Sequence, residues 1–226
     1  METSLIIDTA ALHRRIPIWD LKVTGLPFDR EHLENEKLWV NNSIAEGTYI
    51  SYKTTRKDYI PGTSILVDNW IAEFEKTNDI IEIVSELLQK EENINHMLTL
   101  FPLEGKGEVS IEKFLRKNCS VFTKIMKDEP GFSMNKHFDN RSVFGNIFFN
   151  LTDNDNVSTT FYRGINTPDQ DLTFDSDDSF YKCSTKKAEG TLFLNTDTTF
   201  HTIEHNSDIN RYVVNTVLYF TNLANI

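Results

Sequence analysis

The feature that most constrains the fold of this chain is a change of pattern at Gly131. Before it, several segments carry apolar residues at every third or fourth position, which is the spacing of one helix face. After it, about seven short segments rich in β-branched and aromatic residues are separated by turn-forming residues. Helices followed by strands predict an α+β fold, in which helices pack on one side of a curled sheet or sandwich.

The helical pattern predicts three helices. Ser64 can cap the first, the second covers Ile80 and continues toward Leu98, and the third extends from Ser110 to Asp128. The first 60 residues predict an extended region with short strands. Later strands are predicted over 132–137, 142–151, 158–162, 180–183, 190–195, 200–205 and 211–220, with a long acidic loop over 163–179.

Length and composition limit the class of protein. The 226 residues fit a single domain, in which 1–130 supplies strands and supporting helices and 131–220 supplies the β core. No apolar run approaches the roughly 20 residues of a membrane helix, and the N-terminus lacks the pattern of a secretory signal. We therefore expect a cytoplasmic protein that does not associate with membranes.

Charge and cysteine usage narrow the partners further. The net charge is −11, so the chain repels phosphate backbones, which argues against a nucleic-acid partner. Cys119 and Cys183 form no paired motif, and we expect both to be free, buried thiols.

Two histidines and an aspartate have the types and order of a site for Fe(II). Residues i and i+2 of a strand face the same side, so His137 and Asp139 can both face a barrel interior. His201 comes from a later strand and would complete the set. Two imidazoles and one carboxylate form a facial triad that leaves coordination positions open.

Arg211 begins the last long strand, ten residues after His201. Guanidinium binds carboxylate in a bidentate manner, so this residue suggests a carboxylate-bearing co-substrate beside the metal. A hairpin between His201 and Arg211 would make their two strands antiparallel neighbours and bring the arginine within reach of the metal.

Each of these residues also has a purely structural interpretation. His137 and Asp139 can form a solvated strand end, His201 can be a core histidine, and Arg211 can be a surface charge. Their joint order and spacing favour a metal site over these alternatives. His205 competes for the third ligand position, although the spacing to Arg211 favours His201.

The pattern resembles the Fe(II)/2-oxoglutarate-dependent dioxygenases, and is most similar to their prolyl 4-hydroxylase-like branch. Residues 131–139 resemble the segment of that branch that leads to its first metal ligand. Residues 145–151 resemble the core strand that follows. Residues 157–161 resemble its Gly-Gly-x-Thr-x-Phe motif, and 190–194 the strand before its distal histidine. The resemblance covers 131–220.

Three positions bear on how far the resemblance extends. Val157 and Ser158 stand in place of the two glycines, which changes the expected substrate channel. Arg211 stands where prolyl hydroxylases often have lysine, which weakens the claim for proline as the target. Asp139 is present, which disfavours the halogenating variant that lacks this carboxylate.

The resemblance implies a double-stranded β-helix, a jelly-roll or cupin-like barrel, with N-terminal supporting helices. It implies Fe(II) held by His137, Asp139 and His201, and 2-oxoglutarate held by Arg211. The implied reaction is hydroxylation of an amino-acid side chain, free or in a peptide, by O2. It is coupled to decarboxylation of 2-oxoglutarate to succinate, with ascorbate as an accessory reductant.

Asn146 and Asn215 are polar residues inside otherwise apolar strands, so they need hydrogen-bond partners if buried. Both are candidates for contact with 2-oxoglutarate or with ordered water, and both can instead face solvent at the barrel mouth. Two other functions stay open: a 2-oxoglutarate oxygenase of a small metabolite or nucleobase, and a non-catalytic cupin-like binding or structural module. The substrate and the oligomeric state do not follow from the sequence.

Overall fold

Two antiparallel sheets face each other in the computed structural model, which describes residues 3–7, 17–41, 56–89, 110–154, 157–162, 179–196 and 199–221. In chain order the elements are β1 (Leu5–Ile7), β2 (Ile18–Val23), α1 (Arg30–Leu33), a 3-10 turn (Glu36–Leu38), β3 (Trp39–Asn41), β4 (Arg56–Tyr59), α2 (Ile65–Thr77), α3 (Ile80–Gln89), α4 (Ile111–Asn118), β5 (Cys119–Asp128), β6 (Ser133–His137), β7 (Val143–Asn150), β8 (Val157–Tyr162), β9 (Ser179–Lys182), β10 (Glu189–Leu194), β11 (Phe200–His205) and β12 (Arg211–Phe220).

The order of the strands defines the fold. The larger sheet has eight strands in the order β1-β2-β10-β7-β12-β5-β4-β3, and the smaller has four in the order β6-β11-β8-β9. From β5 onward the chain passes repeatedly between the two sheets, so that β5, β7, β10 and β12 form the centre of one and β6, β8, β9 and β11 form the other. This arrangement is a double-stranded β-helix, as predicted.

The helices cover the outer face of the larger sheet. Trp70 and Phe74 of α2 both contact Phe149 of β7, and their ring centroids lie 6.1 and 5.7 Å, respectively, from that of Phe149. Residues of α3 and α4 belong to the same buried cluster. Burying a phenylalanine side chain stabilises a fold by about 1.5–3 kcal/mol, so this layer holds the helices against the sheet.

The inner face of the larger sheet faces the smaller sheet. Successive side chains of a strand point to opposite faces, so Phe149 packs under the helices while Phe148 points between the sheets. On β12, Tyr212 and Val214 belong to the outer cluster, whereas Val213 belongs to the inner one. The odd-numbered positions of β12, beginning with Arg211, therefore face the space between the sheets.

The prediction of a helix from Ser110 to Asp128 is wrong in its second half. The helix ends at Asn118, and Cys119–Asp128 is a strand. This strand pairs with β12 along its whole length, from Arg211 opposite Asp128 to Phe220 opposite Cys119. Ten backbone pairings outweigh an apolar spacing that fits a helix equally well, and the β-helix therefore begins before residue 131.

The hairpin predicted between His201 and Arg211 is also wrong. The strand that contains His201 pairs with β6 and β8 in the smaller sheet, whereas β12 pairs with β5 and β7 in the larger sheet. The connection crosses from one sheet to the other, so the two residues approach each other across the space between the sheets.

The remaining structural predictions have mixed outcomes. The predicted helix after Ser64 and the predicted helix that begins at Ile80 are both confirmed. The seven predicted strands beyond Gly131 are confirmed as well. Cys119 and Cys183 are free and buried. Within the described residues no helix is long and apolar enough to span a bilayer. The continuation of the second helix to Leu98 and loop residues 163–178 lie outside the described residues.

Candidate metal centre

His137 and His201 lie directly opposite each other on two paired strands. Their Cα atoms are register partners between β6 and β11, and a bulge follows His201. Opposite residues of an antiparallel pair project to the same face, so both imidazoles enter the space between the sheets. Their ring centroids are 4.4 Å apart.

Each imidazole is oriented by the backbone of its own strand. Nδ1 of His137 lies 2.8 Å from the carbonyl oxygen of Asn135, and Nδ1 of His201 lies 3.0 Å from that of Thr199. A carbonyl oxygen only accepts, so both Nδ1 atoms carry hydrogen and both Nε2 atoms keep a free lone pair. That is the tautomer in which Nε2 can bind a metal.

Asp139 brings the third ligand atom from the loop after β6. The strand ends at His137, so Asp139 reaches the centre from the loop rather than from the second position along the same strand. Asn195 Nδ2 shapes the loop, because it lies within 3.2 Å of the carbonyl oxygens of Asp139, Asn140 and Val143. Asp139 Oδ1 is 3.8 Å from His137 Nε2 and 4.0 Å from His201 Nε2.

Asn146 fixes which carboxylate oxygen faces the histidines. Its Nδ2 donates a hydrogen bond of 2.6 Å to Asp139 Oδ2, which leaves Oδ1 directed at the two imidazoles. The sequence suggested Asn146 as a contact of the co-substrate. The structure places it against the candidate ligand, and Asn146 also belongs to the lining of the adjoining cavity.

The environment keeps the imidazoles available for a metal. Burial, followed by the neighbouring His201, lowers the pKa of His137 to about 4, so this ring is neutral at physiological pH. Its buried Nε2 has no hydrogen-bond partner among the described residues. One candidate ligand atom from each of His137, Asp139 and His201 lies within 4.8 Å of the other two. Two imidazole nitrogens and one carboxylate oxygen fit Fe(II).

A cavity of about 80 Å³ extends from this centre between the sheets. The rings of Phe161 and Phe193 pack against the imidazole of His201, with centroids 5.2 and 5.1 Å away. The cavity wall combines apolar side chains with polar and charged ones. Its apolar lining consists of Met126, Met134, Phe148, Phe193, Ile203 and Val213.

The same cavity has a second, cationic end. Arg211 lines it, is 3% exposed, and its Nε makes no hydrogen bond within the described part of the chain. Its Nη1 lies 3.4 Å from Oδ2 of the fully buried Asp128. Arg56 of β4 also lines the cavity and donates two hydrogen bonds to Asp128, at 2.6 and 2.9 Å.

Some of these residues were not identified from sequence. Arg56 and Asp128 carry no local motif, and Asp128 was assigned to the end of a helix. Recognising β5 as a strand would have placed Asp128 on the same face as Met126, toward the cavity. Thr159 also lines the cavity and was not identified from sequence.

Asn215 and His205 complete the set of predicted residues. Asn215 lines the cavity, and its buried Oδ1 has no hydrogen-bond partner among described groups. His205 is buried but does not belong to the cluster of three candidate ligands. Burial lowers its pKa, and the carboxylate of Asp128 opposes this shift.

The chain is similar in fold to prolyl hydroxylases. A prolyl-4-hydroxylase from Pseudomonas putida aligns over 96% of this chain and 92% of that chain, with 13% identity and a TM-score of 0.45. A prolyl hydroxylase from Trichoplax adhaerens, solved with a hypoxia inducible factor peptide fragment, aligns over 97% and 84%, with 11% identity and a TM-score of 0.47.

Two further solved structures extend this comparison. A viral collagen prolyl hydroxylase from Paramecium Bursaria Chlorella virus-1, solved with 2OG, aligns over 74% of this chain and 79% of that chain, with 12% identity and a TM-score of 0.38. An oxalate oxidase aligns over 45% and 43%, with 12% identity and a TM-score of 0.31, so this chain spans less than half of it. No family model and no curated protein sequence matches the chain.

Proposed function

We propose that this protein is an Fe(II)- and 2-oxoglutarate-dependent oxygenase that hydroxylates an amino-acid side chain, free or in a peptide. One observation carries the proposal: three metal-ligand side chains and a buried arginine line the same cavity. A cation site and a carboxylate site in one cavity suit a co-substrate that chelates iron at one end and carries a carboxylate at the other.

The residues of the metal centre fit Fe(II). His137 and His201 would hold it through Nε2 and Asp139 through Oδ1, because these three atoms converge and Asn146 occupies the other carboxylate oxygen. When bound, iron with 2-oxoglutarate supplies O2 activation coupled to oxidative decarboxylation to succinate.

The protein residues position the reactants and exclude water. Arg211 would bind the far carboxylate of 2-oxoglutarate, since its Nε is buried and free of described partners. Asn215, on the same strand, offers a carboxamide to the co-substrate. Phe148 and Phe193 form part of the apolar portion of the cavity wall, and such surface strengthens the ionic interactions beside it.

The first experiment tests co-substrate chemistry. Purified protein is supplied with Fe(II), 2-oxoglutarate, ascorbate and O2, and succinate is measured. Wild-type protein is expected to produce succinate, and Asp139→Ala is expected to produce none, because it removes one ligand. Metal uptake without any succinate would favour a cupin-like binding module.

The second experiment identifies the acceptor. Free amino acids, proline-containing peptides, small metabolites and nucleosides are screened for a mass gain of one oxygen atom. We expect the gain among amino acids or peptides. A gain confined to metabolites or nucleosides would contradict the proposed substrate class while leaving the oxygenase chemistry intact.

A further inference from the structure

Arg56, Asp128 and Arg211 form one row across three neighbouring strands. Asp128 of β5 is the register partner of Arg56 on β4 and of Arg211 on β12. Residues directly opposite each other share a face of the sheet, so the carboxylate lies between two guanidinium groups on the cavity side.

Arg56 is held firmly in this row. Its Nε and Nη2 donate to both oxygens of Asp128, and its guanidinium carbon lies 4.2 Å from the ring centroid of Phe132. A bidentate pair with aromatic stacking is a geometry that arginine forms and lysine does not. Arg56 precedes the β-helix in the chain and nevertheless helps to form the wall of its cavity.

The row carries more positive than negative charge. Burial raises the pKa of Asp128, but the guanidinium groups of Arg56 and Arg211 outweigh this effect and lower it overall, so the carboxylate is ionised. Two guanidinium charges against one carboxylate leave a formal charge of +1. Burial also lowers the pKa of the neighbouring His205, which therefore adds no charge near neutral pH.

A buried excess charge is costly unless an opposite charge compensates it. Asp128 accepts two short hydrogen bonds from Arg56 and only one longer one, of 3.4 Å, from Arg211. Arg211 is therefore only partly neutralised, and its buried Nε lacks a partner among the residues described.

We propose that Arg56 is a positioning residue that engages Asp128 and thereby leaves Arg211 able to bind one carboxylate group. The far carboxylate of the co-substrate then brings the row to neutrality. This inference rests on the proposed function, in which that co-substrate is 2-oxoglutarate. Arg56 would thereby contribute to selectivity for the co-substrate, although it lies outside residues 131–220, which carry the family resemblance.

The test measures binding rather than turnover. The full chain loaded with Mn(II) is titrated calorimetrically with 2-oxoglutarate and with 2-oxobutyrate, which has hydrogen in place of the far carboxylate. Arg56→Met lowers the formal charge of the row to zero. It is expected to weaken 2-oxoglutarate binding on the order of 10-fold to 100-fold, the range for a hydrogen bond to a charged group, and to leave 2-oxobutyrate binding unchanged.

A double variant separates charge from folding. Arg56→Met with Asp128→Asn restores the formal charge to +1, so it is expected to recover most of the lost affinity for 2-oxoglutarate. If Arg56 and Asp128 only stabilised the fold, removing the second residue would reduce binding further. Recovery therefore supports the proposal, and a further loss overturns it.

Arg30→Met is the matched control. Arg30 is a partly buried arginine that bonds to the carbonyl oxygens of Asn210 and Asp153 and does not line the cavity, so binding should be unchanged. If Arg56→Met does not fold, Arg56→Lys keeps the charge of the row but not the bidentate pair with Asp128, so 2-oxoglutarate affinity is expected to fall by less than about 10-fold. A larger loss in a folded Arg56→Lys would contradict the charge argument.

The outcomes distinguish the two proposals. Wild-type protein that binds neither Mn(II) nor 2-oxoglutarate contradicts the proposed function. Wild-type protein that binds both, together with an Arg56→Met variant of equal affinity, leaves the proposed function standing and refutes the role of Arg56.

Discussion

The two ends of the cavity are held in different ways. At the metal end, the imidazoles of His137 and His201 are oriented by carbonyl oxygens two residues earlier on the chain. At the cationic end, Arg211 is positioned by a carboxylate on a neighbouring strand, which a second arginine holds in turn. The orientation of the two imidazoles therefore depends on local backbone, whereas the cationic end depends on side chains that meet only after folding.

The two ends also differ in charge. The metal end combines two imidazoles with one carboxylate, whereas the cationic row carries an excess of +1. A ligand that spans the cavity therefore needs electron-pair donors at one end and a negative charge at the other. Replacing single residues at each end should affect cation binding and anion binding separately.

The largest effect is expected at the metal end, from His201→Ala. Loss of one of three ligands should weaken Mn(II) binding by more than about 100-fold, because changes in the surrounding shell alone cost 10-fold to 100-fold. Calorimetric titration with Mn(II) measures this loss of affinity. His205→Ala on the same strand is the control and should bind normally; a similar loss there would mean that the wrong histidine has been assigned.

Arg211→Met tests the cationic end. Binding of 2-oxoglutarate should fall by about 100-fold, the upper range for hydrogen bonds to a charged group, while Mn(II) affinity stays the same. Both are measured by titration of one preparation. A parallel loss of metal binding would show that the two ends are not independent, and the comparison between them would fail.

Asn146→Ala should have an intermediate effect at the metal end. Without the hydrogen bond to Oδ2, Asp139 is free to rotate, and Mn(II) affinity should fall by about 10-fold. Asn215→Ala is the matched control, because Asn215 lines the same cavity without contacting Asp139. Equal losses in both variants would refute the selective role of Asn146.

The smallest effect concerns acid stability near the cationic end. Burial lowers the pKa of His205, so below its unfolded value of about 6.5 the unfolded chain gains protons that the folded chain resists. Stability is therefore complete above this pH and decreases as the pH falls. His205→Phe should show a smaller decrease than wild type in urea titrations at neutral pH and at about pH 5.

The two ends of the cavity also differ in how far they could be predicted from the sequence. His137 and Asp139 lie two residues apart, and the order of His201 and Arg211 adds to that signal, so the candidate metal end could be located from sequence. Alternation and apolar runs likewise predicted the seven strands beyond Gly131, since these patterns are local.

The cationic row was not predictable because its contacts are long-range. The apolar residues of β5 fit helical spacing, and only pairing with β12 decides that Cys119–Asp128 is a strand. Without that strand, nothing in the sequence connects Arg56 to a residue 72 positions later.

The backbone anchoring of the two imidazoles has a consequence for protein engineering. Because carbonyl oxygens of their own strands accept from Nδ1 of both rings, Phe148, Ile203 and Val213 can be exchanged without disturbing the tautomers. The cavity can thus be enlarged or reshaped while the geometry of the three candidate metal ligands stays the same.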